Sequence, residues 1–158
     1  MSVLYAIVLS IIFLDQATKL LIRNTLRLGQ SIPIIPHVFD ITYVLNPGAA
    51  FGLLAGRDPS FRNPFFIAIS ILAILLILYY YYHHRERRTL QVLGLSFILG
   101  GAVGNLIDRL SIGMVVDFLD FHYGRYHWPA FNVADSAITI GVLLMMVDIV
   151  RGERRGDG

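Results

Sequence analysis

Asp108, Asp117, Asp120 and Asp135 fall in one stretch of the chain, with Asn105 and Asn132 beside them. Two carboxylates brought together in a partly dry site share one proton, so one stays ionised and the other neutral. Such a pair can activate water. The ionised member takes a proton from the water as it attacks a carbonyl carbon, and the neutral member hydrogen-bonds the carbonyl oxygen and then helps the amine leave. Other hydrolytic sets compete poorly. The absence of cysteine excludes thiol nucleophiles, disulfides and Cys-ligated zinc or iron–sulfur centres. Ser111 and Ser136 stand in no nucleophile motif. His122 and His127 are five apart with no HExxH arrangement, so neither a metal nor a cofactor is expected.

Each acid also has a structural use. Asn132-Val133-Ala134-Asp135 has the form of a helix start, with Asn as N-cap and Asp in the first turn at the positive end of the dipole. Asp108 sits where a helix ends and the dipole disfavours an anion, so it needs a cationic partner, Arg109 or Lys19. Asp117 lies in the apolar run Val115-Val116-Asp117-Phe118-Leu119, which desolvates it and raises its pKa. Residue chemistry leaves both Asp108 and Asp117 open as the partner of Asp135. Asp15 and Lys19 are four apart and read as a structural ion pair on one helix face. Asp148, near Arg151 and Arg154, reads as a solvated interfacial charge.

The elements that position these residues follow from composition. Of 158 residues, 56% are hydrophobic and only 15% charged, against roughly 25% charged in soluble domains. Mean hydropathy is +0.64. Too few charges remain to cover a soluble surface, so the chain reads as one integral membrane domain, and intrinsic disorder is excluded. A net charge of +2 argues against nucleic acid as a partner. A span takes about 20 mostly apolar residues. Four such blocks, about 3–22, 65–82, 90–107 and 133–150, predict a mainly α, four-transmembrane-helix bundle. The first block lacks a basic leader and a small-residue cleavage site, so it reads as a retained helix.

The six-residue connector His83–Arg88 carries three Arg, and the eight residues Arg151–Gly158 carry three more. That bias puts this side, and both termini, in the cytoplasm. The connectors 23–64 and 108–132, with the acids and asparagines, then lie at the outer face. Tyr79–Tyr82 fits one interfacial aromatic belt, and Tyr123, Tyr126 and Trp128 the other. Val38 to Leu45 is β-branched and aromatic, flanked by Pro36 and by Asn46-Pro47-Gly48. It predicts a small extracytoplasmic sheet in the first outer connector, within about 29–63. The run Gly48-Ala49-Ala50-Phe51-Gly52 leaves room for a backbone or ligand to approach.

Five segments in order resemble the lipoprotein signal peptidase (signal peptidase II) family, the membrane aspartic peptidases of bacteria. They are Asp15-Gln16-Ala17-Thr18-Lys19, Asn46-Pro47-Gly48-Ala49-Ala50-Phe51, Gly100 through Arg109, Val115-Val116-Asp117-Phe118, and Phe131-Asn132-Val133-Ala134-Asp135-Ser136. The resemblance covers nearly the whole chain. It implies that Asp117 and Asp135 form the catalytic dyad. It also implies that Asn46, Gly48, Asn105, Arg109 and Asn132 line the substrate site, with Asp108, Asp15 and Lys19 supporting it. The implied substrate is a lipid-modified prolipoprotein in the phospholipid bilayer of the bacterial inner membrane, cut before its diacylglyceryl cysteine. A monomer suffices for a site held in one chain. The family usually has Thr where this chain has Pro47, which removes a backbone N–H and fixes φ.

Two other classes fit less well. A small proton-coupled transporter would hold its acid near the bilayer midplane, whereas four acids here crowd one surface. An assembly subunit would explain the Gly100-xxx-Gly104 spacing as helix packing, but not the Asp and Asn cluster. The cation bias is directly testable. A reporter fused after Arg155 should be active only inside the cell; activity outside would invert the topology and move the acids to the wrong face.

Overall fold

The computed structural model describes residues 2–48, 58–83 and 89–156. Residues 49–52 of the small-residue run, the Arg-bearing connector 84–88 and residues 157–158 lie outside the described residues. Four helices, α1 (Ser2–Thr25), α2 (Pro59–His83), α3 (Thr89–Ile112) and α4 (Val133–Gly156), are each long and apolar enough to cross a membrane. Each overruns the apolar block that predicts it, because helical hydrogen bonding continues past the last apolar turn.

The largest overrun is at α2, which begins at Pro59 rather than near Phe65. Asp58 is its cap. The Asp58 Oδ1 accepts the Ser60 N–H at 2.9 Å, and Pro59 occupies the first turn, where a missing N–H costs nothing. Residues 59–63 are therefore helix and not part of the outer β segment.

The sheet also departs from expectation. Strands β1 (Ser31–Ile35) and β2 (Phe39–Asn46) come from the first connector, but β3 (Val115–Tyr123) and β4 (Tyr126–His127) come from the second. They form one antiparallel sheet in the order β1-β2-β3-β4. β3 is as β-branched and aromatic as β2, and it is bounded by Gly113 and Gly124, both at positive φ. Its pairing gives β2 a partner on its second edge. Leu119 also bridges Phe131, which ties the segment before α4 to the sheet.

Apolar side chains pack at both ends of α1. Leu4, Val8, Tyr81, Leu95 and Leu99 form one cluster, and Ile22, Leu26, Val116 and Phe118 seat the sheet on the other. The outward faces of the helices stay apolar and exposed, Leu72, Leu75 and Leu76 among them, as lipid contact requires.

Between these clusters lies a buried polar centre. Lys19, 2% exposed, sits 2.8 Å from Asp15 and 3.0 Å from Asp108, and its Nζ donates to Asn105 Oδ1 at 3.0 Å. Lys19, not Arg109, is thus the partner of Asp108. Gln16 Nε2 donates to Asp108 Oδ1 at 3.0 Å and to Gly104 O at 3.1 Å. Asp15 Oδ1 accepts the Ala134 N–H at 2.9 Å, and Asp108 Oδ2 accepts the Val116 N–H at 3.0 Å. One cluster thereby fixes α1, α3, β3 and the start of α4. Gly104 makes room for it, since a Cβ there would stand 2.7 Å from Asp15 Oδ2.

Asp148 corrects a further expectation: it is buried, not solvated. It follows Gly141 and Met145 at helical spacing, and those residues meet Gly94 of α3. The helix period turns Asp148 inward with them.

Removing one member of the Lys19 cluster leaves an uncompensated buried charge. Asp15→Ala also strips a cap from α4, so it should cost about 3–5 kcal/mol. A thermal unfolding midpoint in detergent should fall clearly, while Leu14→Ala on the exposed face should change it little. An unchanged midpoint for Asp15→Ala would show that the cluster does not support the fold.

Candidate active site

Asp117 and Asn46 are brought together by strand register. Val44 pairs with Asp117 and Asn46 with Val115. Alternation therefore puts Asn46 and Asp117 on one face of the sheet as diagonal neighbours. Asn46 Nδ2 donates to Asp117 Oδ2 at 2.9 Å, while its Oδ1 accepts the Gly48 N–H at 2.9 Å. That turn spans Pro47 without needing its missing N–H, so proline is compatible with this arrangement.

Asp135 is positioned by a helix start. The Asn132 Oδ1 accepts the Asp135 N–H at 2.9 Å, and the Asn132 N–H reaches Asp135 Oδ2 at 3.3 Å. This is a reciprocal cap of the α4 N-terminus. Asn132 is fully buried, and its Nδ2 remains free to point away from the helix. It donates to Asp117 Oδ1 at 2.6 Å. One asparagine therefore holds both acids. Asn105 completes the set: its Nδ2 donates to Asp135 Oδ1 at 2.7 Å while its Oδ1 accepts from Lys19 and, at 3.2 Å, from Asn132 Nδ2.

The structure thus gathers Asp117, Asp135, Asn46, Asn105 and Asn132, and ties Asp108 to Lys19, Gln16 and the Val116 N–H instead. Asp120 stands apart. It pairs with His127 at 2.9 Å, and His122 meets Asp40 at 3.2 Å, with the two imidazole rings stacked 4.6 Å apart. Among the described residues, no group of three or more His, Cys, Asp or Glu is arranged to hold a metal ion. Gln16 was not singled out from the sequence, although it stands between Asp15 and Lys19 in one motif. Its three-way contact depends on the approach of α3.

The two acids differ in environment. Asp117 is 1% exposed, whereas Asp135 is half-buried and forms part of a cavity wall. Burial first, and the Asp135 charge second, push the Asp117 carboxyl up to about 7, against the opposing pull of Asn46, Asn132 and Lys19. The cavity, about 700 Å³, is also lined by Asn46, Gly48, Arg109, the apolar stretch Trp128–Phe131 and Ile140. A carboxylate facing a largely apolar cleft, backed by a second acid that retains its proton near neutrality, is suited to activating water against an amide.

A sequence model of the family described as Signal peptidase (SPase) II matches residues 7–151. The lipoprotein signal peptidase of Geobacter sulfurreducens is 52% identical over 150 residues, 95% of this chain and 92% of that protein. The lipoprotein signal peptidase of Desulforapulum autotrophicum is 54% identical over 140 residues, 89% of this chain and 86% of that protein. A solved bacterial membrane enzyme, determined in meso at 2.3 Å, superposes with a TM-score of 0.84 at 33% identity, over 96% of this chain and 89% of that one.

The raised Asp117 pKa has a consequence for stability. The folded state keeps this proton up to about pH 7, while an ordinary aspartic acid loses it near 4. The folded chain therefore binds more protons between these values, and stability falls as pH rises through that window. Asp117→Asn cannot ionise and should lose less, by on the order of a few kcal/mol at most. Unfolding midpoints in detergent at pH 5 and pH 7.5 measure the difference; parallel losses in the two proteins would disprove it.

Proposed function

The chain belongs to the signal peptidase II family, and we infer from that premise that it hydrolyses its substrate with Asp117 and Asp135 as an aspartic dyad. It is a multi-pass peptidase of the bacterial inner membrane that removes signal peptides from prolipoproteins. The observation that carries the dyad is the sharing of Asn132, whose side chain holds Asp117 and whose backbone holds Asp135.

In this reading Asp135, on the cavity wall at the N-terminus of α4, is the ionised base, and Asp117 beneath it carries the proton. Asp135 takes a proton from water as the water oxygen bonds to the scissile carbonyl carbon. The Asp117 proton passes to the carbonyl oxygen, giving a neutral gem-diol. On collapse Asp135 returns its proton to the departing amine nitrogen, the C–N bond breaks, and a gem-diol hydroxyl gives its proton back to Asp117. Both acids end as they began. Because the pair is coupled, the proton belongs to the dyad as a unit. Asn46, Asn105 and Asn132 hold the carboxylates at fixed angles, and Arg109 is a donor for a substrate carbonyl at the cavity wall.

The substrate is a diacylglyceryl precursor, which two acyl chains hold in the bilayer at about 0.8 kcal/mol per buried CH₂. The cavity stands at the end of the bundle where α3 and α4 meet the sheet, so a lipid-anchored chain approaches it sideways through the leaflet. The cation bias of the connectors supports a site at the outer face and both termini in the cytoplasm. The domain is a single unit, and one chain contains the whole site.

Cleavage of a diacylglyceryl precursor by purified variants tests the reading. Asp117→Asn and Asp135→Asn should each fold yet lose activity by several orders of magnitude, and the double variant should be little worse than either. Asp108→Asn should keep some activity, the wild type should fail on the same precursor without its lipid, and the wild-type kcat/KM should decline as pH rises through about 7. An inactive Asp108→Asn beside an active Asp117→Asn would move the dyad to Asp108 and Asp135.

A further inference from the structure

The second helix contributes no acid and no asparagine to the site, and only 6% of its apolar span is buried. Its contact with the site is made by Phe66 and Ser70, one turn apart on the face toward α3. The Arg109 guanidinium carbon lies 5.7 Å from the centre of the Phe66 ring, and Arg109 Nη1 reaches Ser70 Oγ at 3.4 Å. Ser70 Oγ in turn donates to Phe66 O at 2.8 Å.

The same ring covers Gly48. A Cβ at that position would run into Phe66, and the φ of +97° already favours glycine there. Gly48 donates its N–H to Asn46, which donates to Asp117. Phe66 is itself held: Phe65 meets it edge-on at 5.4 Å between centroids, and Phe61 stacks on Phe65 at 5.9 Å. A braced ring thus touches the cation of the cavity wall and the turn that carries Asn46.

We propose that Phe66 is a positioning residue for cleavage: its ring face holds Arg109 at the cavity wall, and its edge seats the Gly48 turn that delivers Asn46 to Asp117. The inference rests on the reading of the dyad and of Arg109 given above. An aromatic face attracts a guanidinium that a leucine of similar bulk does not. The ring therefore matters for more than its volume. Through α2, helix packing far from the acids sets how the site receives substrate.

Full-length Phe66→Leu, Phe66→Tyr and Asp117→Asn, assayed on a diacylglyceryl precursor across pH, test this. Phe66→Leu should fold with kcat/KM reduced about tenfold, chiefly through a higher KM as Arg109 loses its seat. Its alkaline limb should move to higher pH, because a weakened Asn46 hydrogen bond lets Asp117 keep its proton longer. Phe66→Tyr, which keeps the ring, should recover most of the loss. Wild-type kinetics for Phe66→Leu would overturn the proposal. So would a loss that only tracks the folded fraction with the limb unmoved, or an equal loss in Phe66→Tyr. If Asp117→Asn cleaves in the same assay, the dyad reading falls by itself, and the KM of Phe66→Leu still decides whether the ring positions Arg109.

Discussion

A single buried ammonium organises this molecule. Lys19 is the only lysine in the chain, and it lies among Asp15, Asp108 and Asn105 in a bundle whose exterior is hydrocarbon-like. None of these groups is tolerable there alone, since an unpaired charge at membrane depth costs several kcal/mol. Together they satisfy one another, and each spare polar atom then does a second task. Asp15 caps the start of α4, Asp108 anchors the first strand residues after α3, and Asn105 turns toward Asp135. A compact ammonium with three donors suits this three-way junction, where the planar fork of an arginine favours a bidentate partner.

The same economy governs the proposed dyad. Three asparagines supply donors to two acids without adding charge, so the carboxylates keep their mutual repulsion and the proton it retains. Asn132 is the pivot, because its Oδ1 belongs to the helix cap while its Nδ2 crosses to the sheet. Capping and the proposed catalytic role of Asp135 are therefore compatible. The carboxylate that completes the cap is the one that forms part of the cavity wall, and the acid beneath it is sealed by the apolar residues of β3.

The cavity lies where rigid helices meet a small sheet assembled from two connectors. Its polar groups stand on elements pinned by the Lys19 cluster, while its wall from Trp128 to Phe131 and at Ile140 is mostly apolar. Such a wall suits the lateral entry of the proposed lipid-anchored substrate without exposing the buried charges to lipid. The apolar faces of α2, with little packing behind them, complete the lipid-facing surface.

What the sequence determined by itself was local. Apolar runs of spanning length, the i,i+4 pair of Asp15 and Lys19, and the Asn132 cap with Asp135 in its first turn are all set within a few residues, so their periodicity is visible in one dimension. The tertiary structure decided the rest. Asp108 and Asp117 are both acids beside apolar residues at the same membrane surface, and only the β2–β3 register brings Asp117 to Asn46 and Asn132 while Asp108 turns to Lys19. The sheet joins two connectors separated by two helices, a pairing that no local pattern encodes. Asp148 faces inward because α4 packs Gly141 against Gly94, although its arginine neighbours suggest solvent. In each case the deciding term is burial against a residue distant in sequence, and burial is settled only once the helices have packed.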